Sequence, residues 1–272
     1  MTGPGSTTRR GVVVLAAGLP FLARADAPGD ETARLLAPTG RLRAAINLGN
    51  PVLARREAGT LAGISVDLAR RLAERLGLAL ELVPYDGAGA VSASADADAW
   101  DIAFLAIDPV RAAGIAFTTA YLVIEGTYMV RQDAPYAAIA DVDRPGTRVA
   151  VGQGSAYDLF LTRAVRHAEL VRLPTSAEAV TAFARDGLEV AAGVRQPLER
   201  YAEAHPGYRV LPGRFMAIEQ AMGVPRGRTA AVTYLRSFIE EAKASGFVAE
   251  AIARHAQPDA RVAPPAASTP QP

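Results

Sequence analysis

The chain has 272 residues, of which 50% are hydrophobic and 21% charged, and its mean hydropathy is +0.12, which is apolar material enough for one large core or two medium ones. Lys and Arg number 29 against 28 Asp and Glu, a formal charge of +1 without a basic run, and this argues against a nucleic-acid partner. The absence of cysteine excludes disulfides, thiolate metal sites and the cysteine of a lipoprotein anchor.

The first 25 residues read as a cleavable export leader: Thr8-Arg9-Arg10, an apolar run from Gly11 to Ala23, then the small-residue sites Ala23-Arg24-Ala25 and Ala25-Asp26-Ala27. The run is shorter than the roughly 20 residues a permanent spanning helix needs; the competing reading is a buried N-terminal helix. Arg9 and Arg10 loosely match a twin-arginine signal. Cleavage removes Arg9, Arg10 and Arg24 and no acid, leaving 26 basic against 28 acidic side chains, formally −2. A periplasmic location is expected, because a freely soluble exported product is lost from a cell with one membrane.

Residues 26–40 read as a Pro/Gly/Ala linker. Leu42 to Ile46 then reads as a strand, and Ser65 as the cap of a helix whose apolar Leu68, Ala69, Leu72, Ala73 and Leu76 recur at helical spacing until Gly77. Leu78, Leu80 and Leu82 alternate before Pro84, which completes a strand-helix-strand unit with parallel strands. After Gly87-Ala88-Gly89 and a helix to about Ala95, Ile102 to Ile107 is a wholly apolar strand. The pattern repeats from Thr147: strand Arg148 to Val151, the Gly152-Gln153-Gly154 turn, a helix capped by Ser155 with Asp158 three residues on, and strand Leu170 to Leu173. Thr175 with Glu178 starts another helix, Val190 to Val194 is an apolar strand, and the chain returns as strand Ala221 to Val224 and a helix from about Thr229 to Gly246. Gln257 to Pro272 lacks periodicity and reads as a disordered tail.

The expected fold is α/β: two lobes, each a mainly parallel sheet flanked by helices, joined by a two-strand hinge rather than one continuous sheet. Lobe 1 is expected over residues 41–128 and 221–256, and lobe 2 over 129–220.

Arg111 is the most informative local anomaly. Asp108 suits an N-cap and Pro109 a first helical residue, so Arg111 falls in a first turn, where the helix dipole disfavours a cation and a nearby anion relieves it. It also follows a buried strand, at the edge where open α/β sheets bind ligands. A solvated or internally paired arginine is the plainer alternative. Gly152-Gln153-Gly154-Ser155 leads from strand to helix and offers N–H groups and a hydroxyl to an anion, or simply a cap. It is no dinucleotide fingerprint, because Tyr157 stands at the third glycine, and no Gly-Lys-Ser/Thr makes it a P-loop. His167, His205 and His255 are neither at metal spacing nor beside a plausible nucleophile.

Five segments together carry a family resemblance: Gly63-Ile64-Ser65-Val66-Asp67-Leu68-Ala69, Trp100-Asp101-Ile102-Ala103, Asp108-Pro109-Val110-Arg111, Ile115-Ala116-Phe117-Thr118 with Tyr121, and Val149-Ala150-Val151-Gly152-Gln153-Gly154-Ser155. In order and spacing, over roughly residues 38–256, the chain resembles the type II periplasmic binding proteins, specifically the family 3 solute-binding proteins of polar amino-acid ABC importers. The resemblance implies a monomer without cofactor or metal that closes on a small carboxylate and docks on ABC permease membrane subunits. It implies that Arg111 holds the ligand carboxylate in a bidentate fork and that the Gly154-Ser155 turn supplies N–H groups from the other lobe.

At the family's ammonium site the chain departs. Ala88 stands where an aromatic often covers the ligand side chain, Ala106 where a hydroxyl helps hold the ammonium, and Val194 where a lobe-2 carboxylate pairs with it. Either another acid substitutes, with Glu125 first and Glu219 next, or the ligand has no ammonium. Glu125 could equally be a surface strand residue or the partner of an arginine, and a one-residue change of register would bring Arg195 to the cleft. Asn47, Asn50, Tyr85, Phe104, Tyr157 and Gln220 are further pocket candidates. Two other functions compete: a cyclohexadienyl/arogenate dehydratase-like enzyme on the same scaffold, with Glu125 as general acid, and a protein that presents its ligand to a membrane sensor.

Overall fold

The computed structural model describes residues 1–3 and 28–267. From residue 4 onward the expected leader, Arg9, Arg10 and Arg24 included, lies outside the described residues, as do residues 268–272 of the expected tail. Among the described residues no helix is long and apolar enough to cross a membrane.

The N-terminal part runs α1 (Pro28–Leu36), β1 (Arg41–Asn47), β2 (Arg55–Glu57), β3 (Thr60–Ala62), α2 (Ile64–Leu76), β4 (Ala79–Tyr85), α3 (Ala88–Ala93) and β5 (Ile102–Ala106). After the long β6 (Ile115–Arg131) come β7 (Arg148–Gly152), α4 (Ala156–Ala164), β8 (Glu169–Leu173), α5 (Ser176–Arg185), β9 (Val190–Val194), α6 (Arg195–Ala204) and β10 (Tyr208–Val210). The chain returns through β11 (Met216–Pro225), α7 (Thr229–Ala244), α8 (Phe247–Arg254) and β12 (Arg261–Val262).

In lobe 1, β1 is central and parallel to both β4 and β5. With a neighbour on each edge it is apolar and buried from Ala44 to Ile46. Helix α2 covers it with Ile64, Val66, Leu68, Ala69, Leu72 and Ala73 and ends at Gly77 in the left-handed region. Its cap differs from expectation: Gly63 is the N-cap, and Ser65 lies inside the helix, buried, with Oγ 3.3 Å from the Tyr121 hydroxyl. A side chain at Gly63 is ruled out, because its φ is +137 and a Cβ would sit 2.2 Å from the Leu53 carbonyl oxygen. Asp101, fully buried, binds the Arg43 guanidinium at 3.1 and 2.9 Å and Arg228 at 3.3 Å, tying β1 and the start of α7 to the segment before β5.

Lobe 2 repeats the plan with β7 parallel to β8 and β9. Ser155 and Thr175 cap α4 and α5 as expected, accepting from the Asp158 and Glu178 N–H groups.

The strands β6 and β11 cross between the lobes as the expected two-strand hinge, and they join the lobe sheets into one, in the order β4-β1-β5-β11-β6-β9-β7-β8, where the expectation had put a break. The 17-residue β6 is the reason: at about 3.3 Å per residue it is long enough to pair with β11 from Ile115 to Gly126 and then with β9 from Gly126 to Val130. Register shifts around Gln220 and Ala221, where β11 crosses back, let the paired strands bend.

Both expected irregular ends hold structure. The supposed linker contains α1, which begins on a proline, packs on α2 and α7, and buries Leu36 completely. In the supposed tail, β12 pairs with Val123 and Leu122 of β6, and the Ala263 N–H donates to the Tyr121 carbonyl at 3.1 Å. Ala260 and Ala263 are buried there. A strand edge supplies hydrogen-bond partners that no local periodicity announces.

Candidate functional site: the interlobe cleft

Four parallel strands, two from each lobe, end at one place. Asn47, Ala106, Gly152 and Val194 are the last residues of β1, β5, β7 and β9, and all four line a cleft of about 470 Å³ including its open mouth. Ligands of open α/β sheets sit beyond the carboxyl ends of the strands, where loops and helix N-termini present free backbone groups. Here two such edges face each other.

Arg111 is the only charged side chain among the described residues that line this cleft. It is 3% exposed. Instead of the expected helix a single 3-10 turn, Arg111–Ala113, surrounds it, so burial rather than a helix dipole governs the guanidinium. Nη1 donates to the Ala106 carbonyl and Nη2 to the Gly154 carbonyl, both at 2.9 Å, so the side chain reaches from lobe 1 to lobe 2. Nε is buried without a partner. Desolvation dominates its electrostatics and, against the attraction of Asp108, pushes its pKa down to about 10. Asp108 does not bond it. One Asp108 oxygen accepts from the Val110 N–H at 2.8 Å, and the other pairs at 2.7 Å with Arg163 of α4, a second link between the lobes.

The turn opposite is arranged differently from expectation. Gly154 N–H donates to Asp158 Oδ2 at 2.8 Å and Ser155 N–H to the Gly152 carbonyl at 3.1 Å, so the turn meets Arg111 with a carbonyl oxygen. The N–H groups left over in this first turn of α4 belong to Ala156 and Tyr157, which lack intrahelical acceptors by position. Gly154 (φ +67) approaches Gly89 so closely that a Cβ would lie 2.8 Å from the Gly89 Cα.

Of the other residues singled out in the sequence, Asn47, Asn50, Ala106, Ser155, Tyr157, Val194 and Gln220 line the cleft with Arg111. Tyr85, Phe104 and Glu125 do not. Phe104 is core, edge-on to Tyr121 with ring centroids 6.2 Å apart, and the Tyr85 hydroxyl accepts from Ser94 at 3.1 Å. Glu125 is engaged elsewhere: Arg195 holds one oxygen at 2.8 Å and Arg214 the other at 2.9 Å. Burial raises its pKa, but the hydrogen bonds from the two guanidinium groups outweigh that and the net shift is downward. Arg195 is consumed by the same pair and by Glu199 and stays outside the cleft lining; Glu219, on an exposed position of β11, is outside it too.

Sequence reasoning missed Ser176 and Ile218. Ser176 opens α5, and its Oγ accepts from the buried Tyr157 hydroxyl at 2.6 Å, whose pKa is raised by that burial. The capping box at Thr175 was the available signal, since it places the N-terminus of α5 at the end of β8.

A second, more apolar hollow of about 800 Å³ including its mouth adjoins the first and shares Asn50, Tyr157, Ser176 and Val194 with it. Val180 of α5 and Leu198 and Tyr201 of α6 form its walls, and Gly49 and Pro51 approach from lobe 1.

Known proteins resemble this arrangement over most of its length. The description of the bacterial extracellular solute-binding proteins, family 3, matches residues 42–258. Among curated proteins, cyclohexadienyl dehydratase of Pseudomonas aeruginosa is 31% identical over 128 residues, 46% of this chain and 47% of that protein, so the match spans about half the relative's length. Among solved structures, the solute receptor for L-cysteine of Neisseria gonorrhoeae is 20% identical with a TM-score of 0.74, over 84% of this chain and 94% of the other. An amino acid ABC transporter substrate-binding protein of Streptococcus pneumoniae bound to L-arginine is 20% identical with a TM-score of 0.70, over 81% and 96%. At these identities the structural likeness establishes the fold, and the family match establishes the membership: this chain belongs to the family 3 extracellular solute-binding proteins, with the two-lobed type II periplasmic binding fold.

Proposed function

We propose that the protein binds a small carboxylate between its lobes and delivers it to the membrane subunits of an ABC importer, without performing chemistry on it. The observation that carries this reading is Arg111: a buried guanidinium at the meeting of four strand ends, bonded to neutral carbonyls on both lobes and paired with no carboxylate among the described residues. Keeping a desolvated cation without a counter-ion is unfavourable, and a ligand carboxylate offsets that while closing the fork. Because Arg111 already touches lobe 2 through Gly154, a ligand held by it is in reach of both lobes, and its binding favours the closed arrangement. The S. pneumoniae and N. gonorrhoeae proteins, which share the fold, bind L-arginine and L-cysteine.

A dehydratase reading rests on the P. aeruginosa relative. Expelling a hydroxyl group needs a general acid at the reacting atoms, and the described residues lining the cleft include no Asp, Glu or His. The one acid proposed for that role, Glu125, is locked between two arginines. Incubation with prephenate or arogenate tests this directly, and product formation overturns the non-catalytic reading.

Thermal-shift measurements with amino acids, oxo acids, aromatic acids and dicarboxylates test the main reading. At least one carboxylate should raise Tm in a concentration-dependent way, Arg111→Ala should abolish the rise, and Arg111→Lys should weaken it because the planar fork is lost. An unchanged rise in Arg111→Ala refutes the assignment.

A further inference from the structure

Apart from Arg111 the polar side chains among the described residues of the cleft lining are neutral, and several of their oxygens already accept from within. Asn47 Oδ1 accepts from the Gly49 N–H at 3.0 Å, and Asn50 Oδ1 from the Val52 N–H at 3.2 Å. Because both partners are backbone N–H groups, the oxygen of each amide is fixed and what each has left to offer is its NH₂. Ser155 Oγ accepts from the Asp158 N–H at 3.1 Å, and Ser176 Oγ from the Tyr157 hydroxyl at 2.6 Å, which leaves both serines their hydroxyl protons. The Ala106 and Gly154 carbonyls each accept from Arg111, whose Nε is buried without a partner. Gln220 adds an amide with a donor and an acceptor end, and the Tyr157 oxygen can still accept, but every acceptor among the described side chains of the lining is neutral and none is a carboxylate.

The nearby acids do not alter this. Asp108 is held by Arg163, Asp158 by the Gly154 N–H and Arg172, and Glu125 by Arg195 and Arg214. None of the three lines the cleft. Carboxylate and carbonyl oxygens match such a lining. An ammonium brings three donors and no acceptor, and enclosed there it meets neutral oxygens with no carboxylate among the described lining residues to balance its charge, which is unfavourable. Beside this region lies the apolar hollow walled by Val180, Leu198 and Tyr201, which adjoins it along shared Asn50, Tyr157, Ser176 and Val194.

We infer that the ligand is a monocarboxylate with an uncharged apolar body and no ammonium group, an oxo acid or simple carboxylic acid rather than an amino acid. This rests on the carboxylate-binding reading above and narrows it. The carboxylate sits at Arg111, a 2-oxo oxygen where present accepts from the amide and hydroxyl donors, and the body occupies the apolar hollow.

Matched sets of acids on one carbon skeleton test it by calorimetry on the whole chain: phenylalanine, phenylpyruvate and 3-phenylpropanoate, then leucine, 4-methyl-2-oxopentanoate and 4-methylpentanoate. In at least one set an amine-free member should bind about 100-fold or more tightly than its amino acid, a difference of about 2.8 kcal/mol. An amino acid that binds as tightly as its amine-free partners overturns the inference while leaving the carboxylate reading standing. Failure of all six to bind also overturns it, and the broader thermal-shift panel then judges the carboxylate reading separately. Val194→Asp places an acceptor in the lining from the end of β9 and should narrow the gap by about tenfold or more in favour of the amino acid; an unchanged gap in the folded variant counts against the inference.

Discussion

Gly154→Ala should hold the lobes apart. Gly154 has φ +67, and a Cβ there lies 2.8 Å from the Gly89 Cα on the other lobe. Carbon atoms in contact settle at about 3.5–4.0 Å, so the two backbones must part by about 0.7 Å or more. Arg111 Nη2 reaches the Gly154 oxygen at 2.9 Å, and stretched to about 3.6 Å that contact is no longer a hydrogen bond. A hydrogen bond to a charged group contributes about 1.5–3 kcal/mol, so ligand affinity should fall by about tenfold to 150-fold. The left-handed strain of an alanine, about 1–2 kcal/mol, is present whether the lobes are open or closed. It therefore lowers Tm, by about 2–8 °C for a domain of this size, and leaves affinity alone. Gly89→Ala separates the two effects, because its Cβ meets the Gly154 Cα at 3.3 Å and the Gln153 oxygen at 3.1 Å without a positive φ; it should weaken binding by less than about tenfold and leave Tm near that of the wild type. Calorimetric titration with the acid selected by thermal shift reads affinity, and scanning calorimetry reads Tm. If Gly154→Ala lowers Tm but keeps affinity within about twofold, closure does not run through this contact and the reasoning fails.

Glu125→Gln should leave ligand affinity within about twofold, since the carboxylate faces Arg195 and Arg214 rather than the cleft. A carboxyl held below its ordinary value of 4.5 stabilises the fold above that pH and loses its contribution as pH falls through the lowered folded-state value, so the variant's Tm should respond less steeply to acid in that range. A large loss of affinity would instead place Glu125 in the binding site. Deleting residues 261–272 removes β12 from the hinge strand β6 together with the Pro264 carbonyl that accepts from Lys243 at 2.8 Å. Denaturant titration should show a loss of about 1–3 kcal/mol, and unchanged stability would mean that the strap contributes nothing to the hinge.

The arrangement of the cleft was partly legible. Strand ends could be placed because buried parallel strands are apolar runs, and Asn47, Ala106 and Val194 follow from counting along them. Arg111 stood out as a cation directly after such a run. Phe104 and Tyr85 were misplaced because alternation shows that a side chain is on one face of the sheet but does not say whether that face meets core or cleft. Phe104 is buried against Tyr121, and Tyr85 is tied to Ser94 in the small lobe-1 cluster around Trp100.

What the sequence determined by itself is local: two successive strand-helix-strand units, the caps at Ser155 and Thr175, and the place of Arg111 at a strand end, all set by periodicity and by hydrogen bonds spanning a few residues. Tertiary structure alone decided what each polar atom is free to do. Glu125 is neutralised by arginines 70 and 89 residues further along the chain, and Arg111 finds its lobe-2 carbonyl 43 residues away. The continuity of β6 through both lobes and the seating of β12 on it were decided in the same way. The physical reason is that burial follows from the spacing of apolar residues, whereas the occupancy of a donor or acceptor depends on which distant segment the fold brings within 3 Å of it.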